Sequence, residues 1–165
     1  VELAAKWGDP LFSANVTNPI EPYAALVRHY RERWVFHGRD PKDTFVGAGS
    51  AGYYAAKDSQ DAIKTYRPIF DARKAAFERS GMPVVFHSVE DAIERSSALI
   101  GSPQQIIEKI QRYHAQMGHE VLSINSDSAG LTAKQHRASL ELFQSDLAPV
   151  LRKAIPSRPF PVAVG

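Results

Sequence analysis

Residues 46–52 read VGAGSAG, and the fold turns on what these glycines are for. Gly47, Gly49 and Gly52 have the G-x-G-x-x-G spacing of a dinucleotide-binding turn. Such a turn needs a strand ending at the first glycine, a helix opening at the last, and an acidic residue about twenty positions later at the end of a second strand. Thr44, Phe45 and Val46 supply the β-prone approach. Residues 53–57 (YYAAK) supply no helix start, because the nearest capping side chains are Asp58 and Ser59. Asp71 stands at about the right distance, but inside RPIFDARKAAFER, which reads as helix. An open NAD(P)-binding sheet built on these glycines fails two of three requirements. The stretch reads instead as a strand loosened by glycine, with a bulge or a close backbone approach.

Working outward, residues 11–16 (LFSANV) alternate, with Phe12, Ala14 and Val16 on an apolar side and Ser13 and Asn15 on a polar one. Over 21–37 the positions Tyr23, Leu26, Val27, Tyr30 and Trp34 recur at helical spacing, and HGRDP stops that helix. A strand begins near Thr44, is interrupted by the glycines and resumes over 53–56. Asp58 or Ser59 caps a helix faced by Ala62, Tyr66, Ile69, Phe70 and Phe77, which Pro68 should kink. Residues 84–86 read as either a short strand or an extended loop, and 88–99 as a short helix. Ser102, Pro103 and Gln105 form a capping box opening a helix with the stripe Ile106, Ile110, Tyr113 and Met117, which Gly118 closes. In HEVLSINSD, over 119–127, Leu122 and Ile124 alternate with Val121, Ser123 and Asn125. Thr132 and Gln135 then cap a last helix faced by His136, Leu140, Phe143, Leu147, Val150 and Leu151. Residues 1–156 form one unit, and 157–165 a proline-rich extended tail.

This β/α alternation argues for parallel strands joined by crossover helices, either an open doubly wound sheet or part of a (β/α)8 barrel. The 165 residues, 44% of them hydrophobic, suffice for one core. Twenty basic side chains against 18 acidic ones, without runs, suggest neither a nucleic-acid footprint nor a membrane-surface helix. The absence of cysteine removes disulfides, thiolate nucleophiles and cysteine-based zinc sites, and fits a reducing, cytoplasmic setting. No apolar run approaches a membrane span, and no signal peptide is visible. The chain opens at Val1 in helical character without an initiator methionine, and is expected to be a fragment.

Six blocks carry a resemblance: ELAAKWGDPLF (2–12), GRDP (38–41), YYAAKDSQDA (53–62), LIGSPQQIIEKI (99–110), MGHEVLSIN (117–125) and LELFQSDLAPVL (140–151). In order and spacing they resemble the C-terminal half of the luciferase-like, flavin-dependent monooxygenases. IGSPQQI and FQSDLAPVL are the most specific. The resemblance implies an α/β fold, the C-terminal part of a (β/α)8 barrel with about three parallel strands and crossover helices. It also implies FMN at the carboxyl ends of the strands, reduced by NAD(P)H or a partner reductase, and transfer of one oxygen atom from O2 to a small organic substrate. A whole barrel needs about 250 residues, so this chain is expected to hold the last three strands, starting at the fifth helix. The turn that mainly grips the flavin phosphate in the family lies upstream of Val1. The glycines then fall within or beside the seventh strand, where a missing Cβ admits the flavin ring or a neighbouring backbone, or a bulge relieves curvature.

Side chains at the carboxyl ends of barrel strands face the site. That singles out Ser13 and Asn15 on one strand and Ser123, Asn125 and Asp127 on another. Hydroxyls and amides could hydrogen-bond a flavin edge or its ribityl chain without adding charge, or could instead cap turns; Ser13, Asn15, Ser123 and Asn125 are the cofactor-binding candidates. His87 is a candidate acid or base at the barrel mouth. The six histidines have no metal-ligand spacing, so no metal is expected. Tyr53 and Tyr54 are candidate pocket residues, one of them pointing outward. A competing expectation is a non-catalytic fragment that self-associates, because an incomplete barrel exposes strand edges and an apolar interior. A homo-oligomer is expected.

Overall fold

The computed structural model describes residues 1–159; residues 160–165, most of the expected tail, lie outside the described residues. Strand β1 (Leu11–Ser13), β2 (Val46–Gly49) and β5 (Val121–Ser123) form one parallel sheet in the order β1-β2-β5. Leu11 pairs with Val46 and Ser13 with Ala48, and Ala48 pairs in turn with Leu122. The pairing has no break across Gly47 and Gly49, so these glycines mark no bulge. A Cβ on Gly49 would lie 2.3 Å from the carbonyl oxygen of Ala14, and one on Gly47 would lie 2.6 Å from the Phe12 ring. Close approach by the neighbouring strand is what excludes a side chain there.

Helices cover one side of this sheet. Helix α1 (Glu2–Trp7) and α2 (Ile20–Phe36) precede and follow β1, and α5 (Pro103–Met117) leads into β5. Val27, Tyr30 and Trp34 of α2 pack with Val46, Ala48, Tyr113 and Met117 in one core, against which Leu11 and Leu122 are partly buried. Both ends of α5 are fixed as the sequence predicts: Ser102 and Gln105 make the reciprocal capping box, and Gly118 ends the helix in left-handed conformation at φ 59°. Among the described residues no helix covers the other side of the sheet, and Phe12 and Val121 on it are 58% and 44% exposed.

A second, two-stranded parallel ribbon pairs β3 (Tyr53–Ala55) with β4 (Leu99–Gly101). β4 is not foreseen by the sequence, because three apolar residues after a helical pattern give no period to read. Tyr53, Ala55 and Leu99 face Ile106, Ile110 and Leu147, whereas Tyr54 and Ile100 face α3 (Ser59–Arg79) and α4 (Val89–Arg95). Covered on both sides, the ribbon buries Tyr53 and Tyr54 alike, and neither points outward. α3 runs unbroken through Pro68, and residues 83–86 are extended without pairing. The terminal helices α6 (Ala133–Leu142) and α7 (Ala148–Ala154) are joined by a π turn over Phe143–Leu147. Of the expected face Leu147 is buried, with Phe143 and Leu151 packed partly buried beside it, whereas Leu140 and Val150 are over 40% exposed and Ser139 and Ala148 are buried.

Candidate functional site

The three sheet strands end on a common side, and there a cleft of about 500 Å3 opens. Its walls come from Val16 and Thr17 beyond β1, Ala51 beyond β2, Asn125 and Asp127 beyond β5, Phe70 and Phe77 of α3, and Val84, Val85 and Phe86. The extended 83–86 segment is thus a wall, held by its flanks. Arg95 donates to the Val85 carbonyl oxygen at 3.2 Å, and its guanidinium stacks over Phe86 at 5.3 Å.

Two cations of α3 border the cleft. Arg73 donates to the Tyr66 hydroxyl at 3.1 Å and pairs with Asp127 at 3.2 Å. Burial pushes the Tyr66 hydroxyl above its ordinary range, partly offset by Arg73, so it stays protonated. The Lys74 ammonium lies 3.4 Å from the His87 carbonyl oxygen. Arg73 and Lys74 are not among the residues singled out by the sequence reading. The available signal was two basic residues set into the Tyr66, Phe70, Phe77 stripe, where a core helix would carry apolar ones.

The four cofactor-binding candidates separate into two pairs. Ser13 and Asn15 lie on the helix-covered side of the sheet, 6% and 1% exposed. The Ser13 hydroxyl donates to the Asn15 side-chain oxygen, the Asn15 amide nitrogen donates to the Tyr113 hydroxyl, and Tyr113 donates to the Gly49 carbonyl oxygen at 3.0 Å. Ser97 donates to the Asn15 carbonyl oxygen. Asn15 has φ 55°, a conformation asparagine tolerates better than other residues with a Cβ. The expected facing of this strand is therefore reversed: its polar side turns inward to bind three elements together, and Phe12, Ala14 and Val16 are the exposed side. Ser123 and Asn125 are exposed, and within the described residues neither side chain makes a hydrogen bond. Their backbones are fixed by Ser50, whose N–H donates to the Ser123 carbonyl oxygen at 3.0 Å and whose hydroxyl accepts from the Asn125 N–H at 2.9 Å. Asp127 uses one oxygen on Arg73 and the other on the Ala129 N–H.

His87 is exposed at the start of α4 and does not line the cleft. Its N–H donates to Asp91, so the structure gives this residue a backbone part in the helix cap. His119 sits at the opposite end of β5, packed on the Tyr113 ring at 4.9 Å; burial, with His114 and Arg31 nearby, pushes its pKa down to about 4. Among the described residues no three His, Cys, Asp or Glu side chains gather as a metal site, and no helix is long and apolar enough to cross a membrane.

A profile of the luciferase-like monooxygenases matches residues 1–120. The chain belongs to the luciferase-like monooxygenase family. No curated relative matches the sequence. Among solved structures it is similar to the monooxygenase RslO1 from Streptomyces bottropensis, with 22% identity and a TM-score of 0.72 over 90% of this chain and 44% of that one. It is also similar to the oxygenating constituent of 3,6-diketocamphane monooxygenase from Pseudomonas putida, solved with FMN, at 18% identity and a TM-score of 0.61 over 90% and 44%. The EDTA monooxygenase from Chelativorans sp. BNC1 has 16% identity and a TM-score of 0.58 over 97% and 44%. The chain thus spans under half the length of these luciferase-like structures, and its parallel strands and crossover helices are part of a (β/α)8 barrel.

Proposed function

We propose that this chain is the C-terminal part of a cytoplasmic FMN-dependent monooxygenase that oxidises a small organic substrate with O2, the flavin being reduced by NAD(P)H or a partner reductase. One observation carries the reading: Ser123 and Asn125, at the carboxyl end of β5, present a hydroxyl and an amide with no hydrogen-bond partner among the described residues, beside a cleft at the carboxyl ends of three parallel strands. The uncovered side of the sheet suits a flat, neutral ring. Phe12, whose ring lies over Gly47, and Val121 make it apolar, and no charge stands on the strands. Ser123 and Asn125 would hold the polar edge of the flavin or its ribityl chain, and Ser50 fixes the backbone that carries them. Ser13 and Asn15 would act one layer beneath, positioning Gly49 through Tyr113. When bound, FMN supplies the oxygen chemistry itself; the residues here bind, orient and exclude water.

The test uses the longest reading frame that contains this chain. It should bind FMN with quenched flavin fluorescence and consume NAD(P)H and O2 with a substrate, and Asn125→Ala should weaken FMN binding about tenfold. Failure to bind flavin would end the proposal. The 165-residue chain alone should bind FMN weakly or not at all.

A second reading is favoured by the exposure of Phe12, Val16 and Val121: the chain by itself associates with a second copy through the uncovered sheet side. Light scattering after size exclusion should then give a mass above the monomer, and Phe12→Ser should restore the monomer.

A further inference from the structure

We propose that the cleft between α3 and the 83–86 segment binds an amphipathic organic carboxylate, its apolar chain among Phe70, Phe77, Val84 and Phe86 and its carboxylate on Lys74. The reading above is needed only to call this ligand the substrate.

The cleft is large enough and shaped by the right chemistry. Its volume of about 500 Å3 lies within the range of small-molecule sites, about 300–1,000 Å3. Val16 and Ile100 extend the apolar lining, so a hydrocarbon chain leaves water on entry. The charged side chains that line it are Arg73, Lys74 and Asp127, two positive and one negative. Arg73 and Asp127 are paired with each other, and Asp127 spends its second oxygen on a backbone N–H. Lys74 has no carboxylate within ion-pair distance among the described residues, and its one hydrogen-bond partner is a carbonyl oxygen at 3.4 Å. A long ammonium side chain so weakly engaged can turn to a ligand at little cost, and an ammonium prefers an anion to a carbonyl. The opposing wall adds no acid, since 83–86 is Pro-Val-Val-Phe. The cleft therefore offers a hydrocarbon lining and one unmatched positive charge at its edge. An alcohol would meet the lining alone, and a cationic amphiphile would be repelled.

The experiment is calorimetric titration of the 165-residue chain, without flavin, with octanoate, octan-1-ol and octyltrimethylammonium. Octanoate should bind about tenfold more tightly than octan-1-ol, with no binding of the ammonium compound. Lys74→Met, checked for unchanged circular dichroism, should abolish the preference for octanoate and leave octan-1-ol binding within about twofold. Lys74→Arg should keep the preference, and Asp127→Asn, which releases Arg73, should tighten octanoate several-fold. Equal binding of acid and alcohol, equal loss of both in Lys74→Met, or no binding of any probe would overturn the proposal. Because flavin is absent from the titration, a chain that binds octanoate through Lys74 while its longer reading frame fails to bind FMN would refute the monooxygenase reading and leave this one standing.

Discussion

β1 and β5 lie on either side of β2 and carry the same kinds of polar residue, yet they use them in opposite ways. Ser13 and Asn15 are sealed beneath α5 with their side chains hydrogen-bonded; Ser123 and Asn125 stand in the open with theirs unused among the described residues. Residue type therefore says little here about binding. What separates the pairs is which side of the sheet the helices cover, and whether a neighbour such as Tyr113 reaches the polar atom first.

The comparison is broken most directly at the buried end. Asn15→Ala removes the partners of Ser13 and of Tyr113 and leaves a left-handed backbone without the residue type suited to it. It should cost about 3 kcal/mol, read as a lower urea midpoint. His119, stacked on the same Tyr113, provides an effect of similar size through pH. Its pKa of about 4 in the fold lies below the unfolded value near 6.5, so the unfolded chain binds the extra proton between those limits. Stability should be full above pH 6.5 and fall toward pH 4, by up to about 3 kcal/mol, and His119→Phe should flatten that slope. Gly49→Ala forces a methyl against the backbone oxygen of Ala14 and should cost about 2 kcal/mol. Gly47→Ala meets only the exposed Phe12 ring, which can turn away, and should cost under about 1 kcal/mol. At the open end, Ser123→Ala and Asn125→Ala should leave the unfolding free energy from urea titration within about 0.5 kcal/mol of the parent, because they break no hydrogen bond among the described residues. A large loss there would mean that the two pairs share one structural role.

Elements with strong local signals were legible in the sequence. The α5 capping box, the Gly118 terminator, the stripe through Val27, Tyr30 and Trp34, and the rejection of a nucleotide turn at Gly47 all depend on residues near one another in the chain. What escaped depends on partners far away. Alternation in LFSANV correctly split the strand into two sides but could not say which one the helices cover, and the exposed side turned out to be the apolar one. β4 is too short to carry a period, and only its pairing with β3 makes it a strand. Arg73 and Lys74 interrupt the apolar stripe of α3, and what they border becomes visible only when the 83–86 wall is set across from them.

The π turn over Phe143–Leu147 gives the C-terminal helices a reserve of length. An α-helix acquires such a turn when it holds one residue more than its regular winding needs. That extra residue is spent on Pro149, which has no N–H to donate four residues back and whose ring regular α winding would press against the carbonyl there, so α7 opens behind a wider turn. Deleting one residue within 143–147 would set that ring inside a continuous helix and should cost about 3 kcal/mol of stability.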